Sequence, residues 1–209
     1  KGSEYYSIYL RNLKNNKNTD EVIENTSGSI TWSLDSKSFF YSKLDKFHRP
    51  RKIYKHFLGQ PVVSDKLIFE EKDETFTCGI GLTSDERYFI ISTSDHITTE
   101  EYFFNSTGDK SKPKLFKKRQ KDVRYSLDSW GDYFYIHTNE NARDYKILRC
   151  KKDNIENLEE FVPPKKETVI GGLDFLDEYI IRVEKSDAIP KLYVRNINTN
   201  KEEEIKISD

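Results

Sequence analysis

The residues that could carry nucleophilic, acid–base or metal chemistry are few in this sequence, and their spacing matches no catalytic arrangement. The four histidines fall on different predicted strands and loops, without the paired spacing of a metal site: His48, His56, His96 and His137. No Gly-x-Ser-x-Gly turn is present, and no Ser, His and Asp follow a triad order with supporting context. The sequence therefore predicts no catalytic residue, metal site or cofactor, and it leaves substrate-binding residues unassigned.

The other candidate groups for chemistry have structural interpretations. Cys78 and Cys150 are too few for a disulfide framework, lie on predicted strands of different repeats and are expected to be buried, reduced thiols. Gly79-Ile80-Gly81 lacks the third glycine and the following helix of a dinucleotide site. The basic cluster is expected to be a solvated loop and edge strand, and it comprises Lys110, Lys112, Lys114, Lys117, Lys118, Arg119 and Lys121.

Acidic residues recur in two settings. Asp35-Ser36, Ser84-Asp85 and Asp128-Ser129 occupy one place in a repeated pattern, so we expect their side chains to bond locally to turn backbone. Three carboxylate pairs are expected to follow strand ends, where they favour solubility and protect edges, although one could attract basic peptides: Glu70-Glu71, Glu100-Glu101 and Glu159-Glu160.

The stretch from 126 to 138 predicts the elements that position these residues. A polar turn containing Asp128 and Gly131 precedes a run of aromatic and β-branched residues, which predicts a strand, a tight turn and a strand buried on both faces. The pattern occurs four times, with spacings of 50, 45 and 46 residues between Phe39, Phe89, Phe134 and Ile180. A second short-strand motif has spacings of 49, 45 and 46 residues between Ile53, Tyr102, Ile147 and Tyr193.

A period in the forties, built from short strands and polar turns, is typical of β-propeller blades. We predict an all-β chain of about four and a half four-stranded antiparallel blades in one array. A strand at 5–13 and a brief strand around Val22 predict a half blade. The predicted boundaries are 1–25 for the half blade and 26–72, 73–119, 120–164 and 165–209 for the complete blades.

The apolar runs agree with blades stacked face to face. Residues 88–91, 133–136 and 179–181 need not alternate with polar residues if both faces are covered. An incomplete ring leaves its terminal faces uncovered, so we expect the chain to associate with itself.

Net charge and hydropathy indicate which kinds of partner and which cellular location to expect. Lys and Arg number 35 against 36 Asp and Glu, so we expect no nucleic-acid partner. Without a membrane-length apolar run or a leader sequence, the expectation is a soluble, cytoplasmic protein with no membrane partner. The chain starts at Lys1 and contains no Met, so we expect it to be a piece of a longer polypeptide.

Several segments resemble, in order and spacing, the propeller of the oligopeptidase B (protease II) group in the prolyl oligopeptidase family of serine peptidases. The resemblance covers essentially the whole chain. The segments are 58–73 (LGQPVVSDKLIFEEKD), 125–128 (YSLD), 143–149 (RDYKILR), 161–164 (FVPP) and 171–174 (GGLD).

The resemblance implies a parent with a seven-bladed propeller and a C-terminal α/β-hydrolase domain that carries the Ser, Asp and His. It implies that the parent, a serine-type endopeptidase, cleaves short peptides after Arg or Lys, while the propeller gates and size-filters the substrates. No family catalytic residue has a matching position here, so the fragment is expected to be inactive.

Two alternatives come from other classes of protein. A stand-alone interaction scaffold would be expected to carry regular Trp-Asp or paired-glycine signatures, whereas Trp32 and Trp130 are the only tryptophans. A ligand-binding propeller enzyme would need acidic residues that converge on the axis.

Overall fold

The computed structural model describes residues 4–108 and 111–206, which form strands, turns and one short 3₁₀-helix, η1 Val62–Ser64. Across these two ranges, no helix is long and apolar enough to span a membrane. The strands are β1 Tyr6–Asn12, β2 Lys17–Trp32, β3 Ser38–Leu44, β4 Pro50–Phe57, β5 Lys66–Glu70, β6 Thr77–Leu82, β7 Tyr88–Ser94, β8 Thr99–Asn105, β9 Lys114–Lys117, β10 Tyr125–Trp130, β11 Tyr133–Thr138, β12 Lys146–Lys151, β13 Glu159–Val162, β14 Thr168–Leu176, β15 Tyr179–Ser186, β16 Ile189–Asn196 and β17 Glu202–Ile205.

These strands form four sheets in which each strand pairs with its neighbour in the chain. Sheet I contains β1 to β5, sheet II contains β6 to β9, sheet III contains β10 to β13, and sheet IV contains β14 to β17. The predicted all-β class of four-stranded repeats is confirmed, and sheet I carries one additional strand. Short polar turns allow this up-and-down order because antiparallel neighbours need no crossover.

Sheet I differs from the prediction in its second strand. The sequence predicts a brief strand around Val22 and a separate strand from Ser29, but β2 is continuous across both. Thr26 pairs with Tyr6 on one side and with Lys43 on the other. Gly28 has φ +84°, and a Cβ there would lie 3.1 Å from Cγ of Tyr6, so glycine permits an irregularity where the sequence suggests a break.

The chain divides into two compact units. The first comprises Lys1–Leu82, Glu86–His96 and Glu100–Lys118, and it contains sheet I and nearly all of sheet II. Its sheets pack through aromatic rings: the ring of Phe40 lies 4.6 Å from that of Phe89 and 5.9 Å from that of Phe104. Alternation along each strand places these residues on one face, where burial of apolar surface stabilises the packing.

A second core in this unit joins the β1–β2 hairpin to the neighbouring strand β3 within sheet I. Ile8, Leu10 and Ile23 of the hairpin pack with Phe39 and Tyr41 of β3. The hairpin therefore contributes apolar side chains that help to bury Phe39 and Tyr41.

The second unit comprises Thr83–Asp85, Ile97–Thr99 and Arg119–Asp209, and it contains sheets III and IV. Its core joins Tyr135 and Ile147 of sheet III to Ile170 and Ile180 of sheet IV. The ring of Phe175 stacks on that of Trp130, with centroids 5.6 Å apart.

The run at 179–181 is less buried than its repeats at 88–91 and 133–136. Ile180 is buried, but Tyr179 is 43% exposed. The outward face of sheet IV also carries a cross-strand row of Val183, Leu192 and Ile205, which pair in register. The expected burial on both faces is therefore wrong for this last repeat, because no described strand packs on the outward face of sheet IV.

Candidate functional site

The repeated acidic turns begin with local hydrogen bonds. In the first turn, Ser33 Oγ donates to Asp35 Oδ1 at 2.7 Å, and the Lys37 backbone N–H donates to the same oxygen at 3.0 Å. The Lys37 N–H and the Ser33 hydroxyl lower the pKa of Asp35. The expected bond to local turn backbone is therefore confirmed at Asp35. In the second turn, Thr83 Oγ1 donates to Asp85 Oδ1 at 2.9 Å, which is a bond between two side chains.

Asp85 also makes bonds that the local pattern does not predict. Its Oδ2 accepts the Ser129 hydroxyl and the Lys152 ammonium, each at 2.8 Å. Lys152 Nζ donates in addition to the Gly131 carbonyl at 2.8 Å. The Asp85–Lys152 pair is largely buried, with side chains 9% and 13% exposed. It therefore ties the turn at Thr83–Asp85 to sheet III.

The predicted placement of Asp128 in a polar turn is wrong, because Asp128 lies within strand β10 and the turn is at 131–132. From this strand, Asp128 also bonds to the turn at Thr83–Asp85. Its carboxylate accepts the Ser84 backbone N–H at 2.7 Å and the Ser84 hydroxyl at 2.6 Å. The side chain of Asp85 thus reaches Ser129 on β10, and that of Asp128 reaches Ser84 in the turn that carries Asp85. Asp85 and Asp128 therefore join two successive repeats. The hydrogen bonds to their carboxylates leave neither side chain in a catalytic arrangement.

Ser126, Asp128 and His137 line one small cavity of about 110 Å³, which makes them the nearest approach to a hydrolytic triad. Ser126 and His137 are opposite one another on β10 and β11. However, His137 Nε2 lies 2.8 Å from the Ile170 carbonyl, which only accepts, so that nitrogen carries the proton. Burial lowers the pKa of His137.

The hydrogen bonds that a triad requires are missing from this group. Acyl transfer needs a serine bonded to the imidazole and a carboxylate bonded to its other nitrogen. Among the residues described, Ser126 and His137 share no hydrogen bond, and Asp128 bonds instead to Ser84 and to the Ser129 N–H. The arrangement gives no activated nucleophile.

A histidine–carboxylate pair is buried in the first unit. His56 Nδ1 lies 2.7 Å from Asp65 Oδ1, and Tyr41 Oη donates to Asp65 Oδ2 at 2.8 Å. Burial, together with the bond to Asp65, raises the pKa of Tyr41. His56 Nε2 is buried without a hydrogen-bond partner in the described part of the chain, and no serine hydroxyl adjoins it. The pair connects β3 and β4 to the segment after η1.

One carboxylate pair does not lie at a strand end as predicted, and a second pair lies there but is partly buried. Glu100 and Glu101 are inside β8 and buried, and Glu71 is buried after β5. Tyr102 Oη donates to Glu100 at 2.8 Å, and Ser92 Oγ donates to Glu101 at 2.7 Å. Burial raises the pKa of Glu101 to about 8. The expectation of solvated carboxylates is wrong for these three residues. The alternation of Glu100 with Tyr102 was a signal that could have identified its buried face.

A buried ion network within sheet IV and the segment before β14 was not predicted from the sequence. Arg182 is 3% exposed, and its guanidinium binds Glu202 through two nitrogens at 2.8 and 2.9 Å. Its Nε donates to Glu184 at 2.9 Å, while Lys165 Nζ donates to Glu184 at 2.7 Å. Hydrogen bonds from Arg182 lower the pKa of Glu202 to about 2. Arg182 alternates with the core residue Ile180 along β15, which indicates its inward face.

The cysteines and the basic cluster agree with their interpretations. Cys78 and Cys150 are free and buried, and burial raises the pKa of their thiols to about 12 and about 11. Lys114 and Lys117 bound the edge strand β9, as expected, while Lys110 lies outside the described residues. Within 4–108 and 111–206, no group of three or more His, Cys, Asp or Glu is arranged to hold a metal.

A pocket of about 600 Å³ opens at one end of sheets III and IV. Its walls are the aromatic residues Trp130, Tyr133 and Tyr135 together with Arg149. The turn residues that complete it are Gly131, Asp132, Asp177, Glu178, Ile197, Asn198 and Asn200.

Repeated antiparallel sheets of four strands are typical of a partial β-propeller. No hydrolytic triad is formed among the residues that the structure describes. Over residues 1–209, the sequence matches the family described as "Prolyl oligopeptidase, N-terminal beta-propeller domain", and the chain belongs to that family. The predicted partial β-propeller and the resemblance to this family are both confirmed.

Among curated relatives, the chain is 29% identical over 183 residues to Protease 2 of Moraxella lacunata, covering 86% of this chain and 26% of that protein. It is 27% identical over 200 residues to dipeptidyl aminopeptidase BI of Pseudoxanthomonas mexicana, covering 92% of this chain and 27% of that protein. The chain thus spans about a quarter of the length of these relatives.

Solved structures establish the same fold. Oligopeptidase B from Leishmania major superposes with a TM-score of 0.91 at 19% identity, over 99% of this chain and 30% of that one. A closed form of oligopeptidase B from Trypanosoma brucei, with covalently bound antipain, gives a TM-score of 0.87 at 22% identity, over 100% of this chain and 30% of that one.

Proposed function

We propose that this chain is the propeller portion of a cytoplasmic serine oligopeptidase resembling oligopeptidase B. The parent protein hydrolyses short peptides after Arg or Lys by acyl transfer to a serine in its C-terminal α/β-hydrolase domain. The observation that carries this proposal is the family match along the whole chain. The similarity to Protease 2 adds support.

The propeller's part in this reaction is to control access. A ring of blades over a hydrolase site encloses a chamber, which admits short unfolded peptides and excludes folded proteins by size. The chain itself has no catalytic role, and the described Ser126, Asp128 and His137 lack the bonds of a triad.

The first test compares the purified 209-residue chain with its parent, obtained from the full reading frame, on a chromogenic Arg-linked substrate. We expect turnover by the parent and none by the chain. If the full reading frame encodes no nucleophile elbow and the parent protein shows no peptidase activity, the alternative of an interaction scaffold is supported instead.

The access role needs a separate measurement on the parent. We expect cleavage of an unfolded Arg-containing peptide to be fast, and cleavage of the same sequence within a stable folded domain to be undetectable. Equal rates on both substrates would refute size filtering while leaving the peptidase assignment intact.

The separate chain is also expected to associate with itself through the outward face of sheet IV. Val183 and Ile205 are both exposed there, in register with half-buried Leu192. In sedimentation experiments, Val183→Lys should shift the chain towards monomer. Val63→Lys is the matched control, because Val63 is 95% exposed and lies on η1. A chain that is monomeric without either substitution would contradict this expectation.

A further inference from the structure

The pocket at the end of sheets III and IV combines aromatic walls with uncompensated negative charge. Asp132 lies in the turn between β10 and β11, and Asp177 and Glu178 form the turn between β14 and β15. All three side chains are exposed, and they form no ion pair or hydrogen bond with a described residue. The carboxylates therefore remain available to a ligand that enters the pocket.

The aromatic part of the pocket is held in place by its neighbours. Trp130 stacks on Phe175 with an interplanar angle of 15°. Tyr135 packs against the same ring at 5.0 Å. A fixed indole beside carboxylates suits a flat cation, because the negative face of the ring attracts positive charge.

One cation already occupies part of this aromatic surface. The Arg149 guanidinium lies 4.6 Å from the centre of the Tyr133 ring and 4.9 Å from that of Phe161. Its Nε donates to Glu159, so its charge is compensated outside the pocket. The pocket lining is thus left with a net excess of negative charge, which disfavours an anionic ligand.

From this combination, we propose that the pocket binds the guanidinium or ammonium group of a basic peptide side chain. Asp177 and Glu178 pair with the cation, and Trp130 provides an apolar face for the methylene stem and the charged group. A planar guanidinium is favoured over an ammonium because it can bond a carboxylate through two nitrogens and stack on a ring.

This site deepens the proposed function, since it rests on basic peptides being the parent's substrates. The side chain bound here would belong to a substrate residue that is distant from the cleaved peptide bond. Binding to this chain can be measured without any hydrolysis, so failure of the pocket and failure of the peptidase assignment are distinguishable.

The experiment uses Trp130 fluorescence in the 209-residue chain carrying Trp32→Phe, which leaves Trp130 as the single tryptophan. The ligand is N-acetyl-arginine amide, and the neutral comparison is the citrulline analogue of the same shape. We expect a saturable change with the arginine compound, a weaker one with its lysine counterpart and none with citrulline. Added salt should weaken the binding.

Two variants locate the site. The double variant Asp177→Asn/Glu178→Gln should weaken binding about tenfold, because each exposed ion pair contributes modestly. Asp187→Asn is the matched control, since Asp187 is an exposed turn carboxylate between β15 and β16, at the opposite end of β15. It should leave the affinity unchanged.

Equal binding of citrulline, or equal loss in the control and the double variant, would overturn the proposal. So would a parent enzyme that cleaves Arg peptides while the folded chain shows no saturable response. Near-ultraviolet circular dichroism verifies that each variant retains the native packing of its aromatic residues.

Discussion

Replacing Glu202 with Gln should remove most of the acid-sensitive stability of the second unit. Glu202 accepts two hydrogen bonds from the buried Arg182 guanidinium and one from Arg195. These contacts favour the ionised carboxylate, and its pKa is about 2 in the folded chain against an ordinary value of 4.5.

The magnitude follows from linkage between protonation and folding. A pKa that is lowered by folding stabilises the protein above the unfolded value, and this stability is lost as pH falls from about 4.5 to about 2. At 1.36 kcal/mol per pKa unit, the contribution is about 3 kcal/mol. The Glu202 side chain is 24% exposed, so solvent screens only part of it.

The assay is urea unfolding followed by Trp130 fluorescence, in a Trp32→Phe background that reports only on the second unit. At pH 7, Glu202→Gln should lower the free energy of unfolding by about 3 kcal/mol relative to the same chain with Glu202 intact. At pH 2 the difference in free energy should be much smaller, because Glu202 of the unsubstituted chain is then about half protonated and has lost most of its ionic contribution.

Glu203→Gln is the control, since Glu203 is the next residue on β17 and points to the other face. It should change the free energy of unfolding by less than about 0.5 kcal/mol at either pH. Two results would contradict this reasoning. Either Glu202→Gln has the same free energy of unfolding as the unsubstituted chain at pH 7, or the difference between the two chains is the same at pH 2 and pH 7. In both cases the Arg182 network would not act through the ionised carboxylate.

Three further predictions concern other buried groups. Folding raises the pKa of Glu101 from 4.5 to about 8, so the unsubstituted chain loses stability as pH rises from about 4.5 to about 8. Glu101→Gln should therefore leave stability unchanged below about pH 4.5 and be increasingly stabilising up to about pH 8; thermal melts across pH measure this, and an unchanged profile would contradict it. Lys152→Met should cost about 2 kcal/mol by leaving Asp85 short of a cation, and much less in combination with Asp85→Asn; additive losses in urea melts would contradict the coupling. Cys78 and Cys150 should resist a thiol reagent at pH 8 until urea unfolds the chain, and fast labelling of the native chain would refute their burial.

The sequence predicted those parts of the molecule that depend on local patterns. The strand–turn–strand predicted at 126–138 corresponds to β10 Tyr125–Trp130 and β11 Tyr133–Thr138. The basic edge strand and the two buried thiols also followed from residue type and place in the repeat. The strand–turn–strand pattern itself recurs every 45 to 50 residues, so each copy reinforces the interpretation of the others.

The pocket could not be predicted, because its parts come from separated turns. Asp132 and Glu178 each belong to a turn that, taken alone, indicates only a solvated hairpin. Their shared pocket with Trp130 depends on how sheets III and IV pack.

By itself, the sequence determined the class of fold, the repeat and the absence of a recognisable catalytic motif, because strand alternation and turn chemistry act over a few residues. Only the tertiary structure decided which charges are buried and with what they pair. Asp128 reaches Ser84 across 44 residues, and Arg182 meets Glu202 across 20. The cost of burying a charge is offset only by partners brought near in space, and the sequence pattern does not specify those distances.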